Sequence, residues 1–255
     1  MTSGFPRQRN SLRGRLTLAT AAGALALWGA GAAFTPRVGM TTMFAPTAVA
    51  TFLACMAIAI VRIPSFHPFT TLGPANLVTT GRTALIAFVA ALAVETPTSA
   101  IGVVVVVVAS VAAGLDGWDG WLARRSGMSS SFGSRFDMEV DALLILILGL
   151  LVWRHDKAGS WVLLSGALRY AFVLAGLAIP WFTRDLPPSL RRKTVCVIQI
   201  VGLIVAVAPV IPRPFSDLAA GGTLLLLVWS FAVDVAWLWR ARGLPRPIEL
   251  AHRES

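Results

Sequence analysis

Residues 96–153 read TPTSAIGVVVVVVASVAAGLDGWDGWLARRSGMSSSFGSRFDMEVDALLILILGLLVW. Residues 96–115 carry no charge and exceed the roughly 17 residues that a membrane-spanning helix requires. A second apolar run, at about residues 136–153, begins with Asp137 and Asp141 and continues to Trp153. Two such runs joined by a short polar link predict a pair of transmembrane helices, with ionisable groups at the end where the helices meet.

The composition of the whole chain agrees with a membrane protein. Of 255 residues, 56% are hydrophobic and 13% are charged, and the mean hydropathy is +0.74. We therefore expect an all-α integral membrane protein. The net charge of +10 does not indicate a nucleic-acid partner, because Lys and Arg cluster between apolar runs instead of along a polar face. Cys55 and Cys196 lie inside apolar runs, and we expect both to be packing residues.

The sequence predicts eight membrane spans. Four contain no charged residue: residues 16–36, 38–61, 96–115 and 194–212. Four more include or closely adjoin a charged group: residues 76–95 with Arg82, 136–153 with Asp137 and Asp141, 158–181 with Arg169, and 220–239 with Asp234. Because ionisable groups at such depths usually face a bundle interior or a wet cavity, these spans are where function is expected.

The loops between the spans predict both an orientation and a division of the chain. With a cytoplasmic N-terminus, sixteen Lys and Arg residues lie on the cytoplasmic side and four lie outside, a clear positive-inside bias. Alternatively, the first run is a cleaved signal peptide, for which about twenty apolar residues would be long. A change of composition between Arg62 and Asn76 predicts an extension of two spans at residues 1–70, a six-span unit at 74–241, and a cytoplasmic tail at 242–255.

Four aspartates lie within residues 116–141, at the predicted edge of the hydrocarbon. A helix places two of them and two small residues within an arc of about 100°, namely Asp116, Asp119, Gly120 and Ala123. Steps of four residues align one more small residue and two more carboxylates on the next helix, namely Gly133, Asp137 and Asp141. Converging carboxylates suit Mg²⁺ or Mn²⁺, with two ions sharing the cluster, and the guanidinium of Arg124 suits a phosphate. The alternative is a set of ordinary interfacial carboxylates paired with nearby arginines.

These residues resemble the signature of the CDP-alcohol phosphatidyltransferase family, D-x2-D-G-x2-A-R-x8-G-x3-D-x3-D, which the chain matches without a gap from Asp116 to Asp141. The segment that runs from Asn76 to Arg82 is similar to the Asn-x-Leu-Thr-x2-Arg opening of the family's first core helix, with Val78 in place of Leu. The resemblance covers about residues 74–240. It implies a six-helix catalytic bundle, to which the first two spans are an extension.

The resemblance also implies an activity. Family members transfer a substituted phosphate from a CDP-alcohol to a second alcohol and release CMP. By position, the four aspartates would hold the metal and Asp141 would also be the general base, while the CDP moiety would contact Gly120, Ala123, Arg124 and Gly133. The expected donor is CDP-diacylglycerol, at the cytoplasmic face of the inner membrane, in phospholipid synthesis. A CDP-choline or CDP-ethanolamine donor with a lipid alcohol acceptor is the alternative. The resemblance is also compatible with a homodimer.

The acceptor is predicted less directly. Four basic residues could contact an anionic acceptor such as a phosphorylated polyol: Arg82, Arg169, Arg191 and Lys193. For Arg82 and for residues 191–193 the alternative is a cationic anchor at the membrane surface. Glu139 projects away from the aspartates of its helix, so we expect it to be solvated or paired with an Arg, and Asp234 is expected to pair with a basic group. A cation-coupled transporter is the competing class, but it does not explain the spacing of the small residues and the Arg.

Overall fold

The computed structural model describes residues 5–66, 74–126, 131–184 and 186–242. Within these ranges it describes the backbone but not the side chains of residues 5–13, 15, 59–66, 74–77, 119–126, 131–135 and 183. The described part is all-helical, without a strand, which confirms the predicted fold class. Its long helices are α1 (Phe5–Val38), α2 (Phe44–Phe66), α3 (Pro74–Leu92), α4 (Ser99–Ser126), α5 (Ser131–Arg154), α6 (Leu164–Ala178), α7 (Leu190–Val207) and α8 (Phe215–Ala241).

Several helices have the length and apolar character of membrane spans, so the chain is embedded in a membrane. Among the described residues these are Leu16–Val38, Ser99–Trp118, Ser160–Ala178 and Phe215–Ala241, and the shorter apolar helices Phe44–Ile58 and Val78–Leu92 accompany them. Two of the four correspond to predicted spans that hold a charged residue, Arg169 or Asp234. The total of eight spans stays a prediction.

The helices pack closely where one of them carries a small residue. A methyl group added at Gly166 of α6 would lie 2.6–2.7 Å from Leu146 of α5, and one added at Gly202 of α7 would collide with the side chain of Thr223 in α8. Such distances leave no room for a side chain. Small residues thus allow the backbones of α5 and α6, and of α7 and α8, to approach, which is the usual way that helices pack in membranes.

The first two helices pack directly on α3. Phe44 of α2 is fully buried, and its ring meets the ring of Phe88 in α3 edge to face at a centroid distance of 4.8 Å. The buried carboxylate of Glu95 accepts hydrogen bonds from the backbone N–H and the hydroxyl of Thr41, both at 2.8 Å. The extension therefore shares one hydrophobic core with the rest of the bundle, while the predicted boundary of the catalytic unit stays a prediction.

The direction of the chain defines two ends of the bundle. At one end α3, α5 and α7 begin and α4 ends, and we call this the site end. At the opposite end, basic side chains bind backbone carbonyls of neighbouring loops: Arg154 donates to Ala93 and Glu95, and Lys157 donates to Pro209 and Ile211. These contacts join neighbouring loops at the end of the bundle opposite the site end.

Candidate active site

Three carboxylates converge at the site end. Asp116 lies in α4, and Asp137 and Asp141 lie one helical turn apart in α5. One oxygen from each lies within 4.8 Å of the others, and all three residues are half-buried. We call these three residues the carboxylate cluster. The convergence follows from the sequence pattern, because the four-residue step stacks two aspartates on one face of α5.

Arg82 of α3 lies against the cluster and is fully buried. Its Nη1 lies 2.8 Å from Oδ1 of Asp116 and 2.5 Å from Oδ1 of Asp137, and its Nη2 forms an ion pair with Asp141. A cationic anchor at the membrane surface would be exposed, whereas Arg82 is completely buried and has three carboxylate partners. One guanidinium therefore bridges α3 to both helices of the carboxylate cluster.

The charges of these four side chains do not cancel. Three carboxylates carry −3 and Arg82 carries +1, which leaves −2 on half-buried side chains. Hard oxygen donors within 4.8 Å of one another are also the ligands that Mg²⁺ and Mn²⁺ favour. In both charge and chemistry, the cluster therefore fits a divalent cation.

The rest of the predicted motif lies in the helices as expected. Asp119, Gly120, Ala123 and Arg124 belong to the last turns of α4, and Gly133 belongs to the first turn of α5. Their side chains lie outside the described part of the structure, so their predicted contacts with metal and nucleotide stay predictions. Their positions in the two helices place them on the site-end side of the carboxylate cluster.

Arg169 was predicted to contact the acceptor, and in the structure it forms an ion pair with Glu139. Its Nη2 lies 2.6 Å from Oε1 of Glu139, and this joins α6 to α5. The expectation that Glu139 is solvated or paired with an Arg is confirmed. Since Glu139 projects away from Asp137 and Asp141, this pairing does not bring Arg169 to the carboxylate cluster.

Arg191 holds the start of α7 against α8. Its Nη1 donates to the carbonyl and the hydroxyl of Ser230 at 2.5 and 2.8 Å, and its Nη2 lies 2.5 Å from Oδ1 of Asp234. Arg192 lies 3.3 Å from the same carboxylate oxygen, so the prediction that Asp234 pairs with a basic group is confirmed. Lys193 is exposed at the same end of α7.

Two residues of α7, one of them close to the cluster, were not among the predicted site residues. The Sγ of Cys196 lies 4.0 Å from Oδ2 of Asp141, so this thiol lines the site although the sequence indicated only packing. Gln199 is fully buried three residues further along the helix. An amide inside an otherwise apolar span was the sequence signal that could have identified it.

The fold and the site together define a membrane-embedded protein with a carboxylate cluster suited to a divalent cation. Residues 72–236 match the model of the CDP-alcohol phosphatidyltransferase family. Because the match covers more than half of the chain, the chain belongs to this family, whose members are phosphotransferases that use a CDP-alcohol, an acceptor alcohol and, in general, a divalent metal. No curated protein and no solved structure matches the chain.

Proposed function

We propose that the enzyme transfers the phosphatidyl group of CDP-diacylglycerol to a small polar alcohol, such as a phosphorylated polyol, and releases CMP. The observation that carries this proposal is the carboxylate cluster around Arg82, placed inside an apolar bundle. A pocket of this kind can receive a charged diphosphate while the acyl chains of the donor stay in the bilayer. The activity would serve phospholipid synthesis.

The residues proposed to hold the metal are Asp116, Asp119, Asp137 and Asp141. A metal held by these residues would neutralise the diphosphate and make its phosphorus more electrophilic. Two ions would balance the four carboxylates more fully than one, and either Mg²⁺ or Mn²⁺ suits these oxygen ligands.

Asp141 is proposed as the general base. The acceptor hydroxyl attacks the phosphorus that carries the diacylglycerol group, and its proton passes to the Asp141 carboxylate. The bond from this phosphorus to the bridging oxygen breaks, and that oxygen leaves with CMP. Oδ1 of Asp141 is paired with Arg82, while Oδ2 lies toward Cys196 of α7. This geometry favours entry of the acceptor between α5 and α7.

The nucleotide is proposed to bind along the last turns of α4 and the first turn of α5. Gly120, Ala123 and Gly133 carry at most a methyl group, so a flat base or a diphosphate could approach the backbone there. Arg124 provides a planar donor with the geometry of a phosphate ligand. Arg82 is proposed to share its guanidinium between the carboxylates and this diphosphate.

The site end is proposed to face the cytoplasm, with the N-terminus on the same side of the inner membrane. This orientation is supported by the positive-inside bias of the loops, since Arg124, Arg125 and Arg135 flank the link between α4 and α5.

For an anionic acceptor, Lys193 is the best placed of the predicted basic contacts in α7, because it is exposed at the site end. Arg191 and Arg169 already have carboxylate partners, so either arginine would have to release its carboxylate in order to bind an acceptor. We therefore place the charged end of the acceptor nearer Lys193 and its reacting hydroxyl nearer Asp141.

The test is an assay of purified protein with CDP-diacylglycerol, Mn²⁺ or Mg²⁺ and a panel of radiolabelled alcohols, in which both CMP and the lipid product are measured. We expect one alcohol to yield CMP and a labelled phospholipid, and we expect Asp137→Asn to abolish both. A parallel reaction with CDP-choline and diacylglycerol tests the alternative donor. Labelled product from that reaction alone would contradict the proposed substrate.

A further inference from the structure

Gln199 is a fully buried amide in α7. Neither its Oε1 nor its Nε2 has a hydrogen-bond partner within the described part of the chain. Buried polar side chains are nearly always hydrogen-bonded, because an unpaired amide loses its water without compensation. An orphaned amide beside a catalytic centre therefore indicates a ligand group that completes its hydrogen bonds.

The position of Gln199 relates it to the carboxylate cluster. It follows Cys196 by three residues, about 4.5 Å further along α7, and the Sγ of Cys196 lies 4.0 Å from Oδ2 of Asp141. Long side chains on a helix lean toward its N-terminus. Since α7 begins at the site end, the amide of Gln199 extends back toward the level of Asp141.

The surroundings of Gln199 offer little other use for an amide. Val195, one turn earlier on α7, and Leu203, one turn later, are both buried, so α7 is apolar on either side of this amide. An apolar residue would pack at this position without a desolvation penalty. The amide is neutral, so it suits a hydroxyl better than a phosphate, for which arginines are available nearby.

We propose that Gln199 binds a second hydroxyl of the acceptor, next to the hydroxyl that Asp141 deprotonates, and thereby selects polyhydroxylated acceptors over simple alcohols. This inference rests on the proposed function. A primary amide offers one acceptor oxygen and two N–H donors, and a hydroxyl both donates and accepts, so the two groups can satisfy each other. Gln199 is thus a specificity-determining residue that makes no proton transfer.

The experiment compares Gln199→Met with the wild-type enzyme on acceptor pairs that differ by one hydroxyl. The first pair is glycerol 3-phosphate and 3-hydroxypropyl phosphate, and the second is myo-inositol and a deoxyinositol. We expect the variant to lose about 10–100-fold in kcat/KM for the polyol and to be unchanged with the analogue. Donor binding, measured by isothermal titration, should be unchanged, and the melting temperature should not fall, because the variant removes an unpaired buried amide.

Leu203→Met is the matched control, since Leu203 is fully buried one turn further along α7 and has no polar group to lose. It should leave the ratio between polyol and analogue unchanged. An equal loss on both members of a pair, or no loss on either, would overturn the inference.

The wild-type enzyme tests the inference without any variant, so a Gln199→Met protein that fails to fold does not leave it undecided. Wild type should prefer the polyol by about the same 10–100-fold. Equal turnover of polyol and analogue by an active enzyme overturns the role of Gln199 alone. Absence of CMP release with every acceptor would instead overturn the proposed function.

Discussion

Arg82→Met is the substitution that most directly perturbs the electrostatics of the site. It removes a buried positive charge that contacts Asp116, Asp137 and Asp141, and it keeps an unbranched side chain in place of the arginine stem. The net charge of these four side chains then changes from −2 to −3. We expect the variant to be less stable without metal and to bind metal more tightly.

The magnitude follows from the contacts. Removal of one partner from a buried ion pair typically costs about 3–5 kcal/mol, and partial exposure of the three carboxylates favours the lower end, about 3 kcal/mol. For a chain of this size that corresponds to a fall of roughly 6–12 °C in melting temperature. The lost cation also ceases to repel a metal, and even ~1.4 kcal/mol of relieved repulsion makes Mn²⁺ binding about tenfold tighter.

The assay is thermal unfolding in detergent with EDTA or with Mn²⁺, together with isothermal titration of Mn²⁺. Mn²⁺ should raise the melting temperature of Arg82→Met more than that of wild type, because metal that binds only the folded state stabilises it. Arg191→Met is the control: it breaks the arginine contact with Asp234, away from the cluster, and should leave Mn²⁺ affinity unchanged. Weaker Mn²⁺ binding to Arg82→Met than to wild type would show that Arg82 does not repel the metal.

Three further predictions concern other contacts of the bundle. Asp141→Asn should lower CMP release about 100-fold or more while donor binding survives, whereas Asp116→Asn should weaken both Mn²⁺ and donor binding in titrations. If both variants lose donor binding equally, Asp141 is a metal ligand only and not the general base. Glu95→Ala removes two hydrogen bonds to a buried carboxylate and should cost about 2 kcal/mol in a thermal melt, and an unchanged melt would show that this contact does not hold the extension. Arg169→Met and Glu139→Gln break the same partly exposed ion pair, so each should change the free energy of unfolding by about 1 kcal/mol or less. Each should also change the acceptor KM by less than about threefold. A tenfold rise of the acceptor KM in Arg169→Met alone would assign Arg169 to the acceptor.

Helical periodicity was sufficient to predict the core of the site. The four-residue step between Asp137 and Asp141 places both on one face of a single helix, and the short link to α4 brings Asp116 beside them. These are local relations, since each depends on the geometry of one helix or one tight connection. The all-helical fold followed in the same way from long apolar runs.

Contacts between distant segments could not be predicted in this way. Arg82 precedes Asp137 by 55 residues, and no period within α3 indicates which side chains its guanidinium will meet. The contact of Glu95 with Thr41 spans 54 residues and depends on how α1 and α2 dock against α3. The amide of Gln199 was visible in the sequence, but its lack of a hydrogen-bond partner among the described residues is a property of the packed bundle.

Transfer of the phosphatidyl group is measured most directly as the stoichiometry of CMP to lipid product in a reaction of the purified enzyme with CDP-diacylglycerol, a radiolabelled alcohol from the panel and Mn²⁺. We expect one CMP for each labelled phospholipid, no release of either in EDTA, and recovery of both when Mn²⁺ is added back. CMP released without a phospholipid product, or the same rate in EDTA as in Mn²⁺, would contradict this expectation.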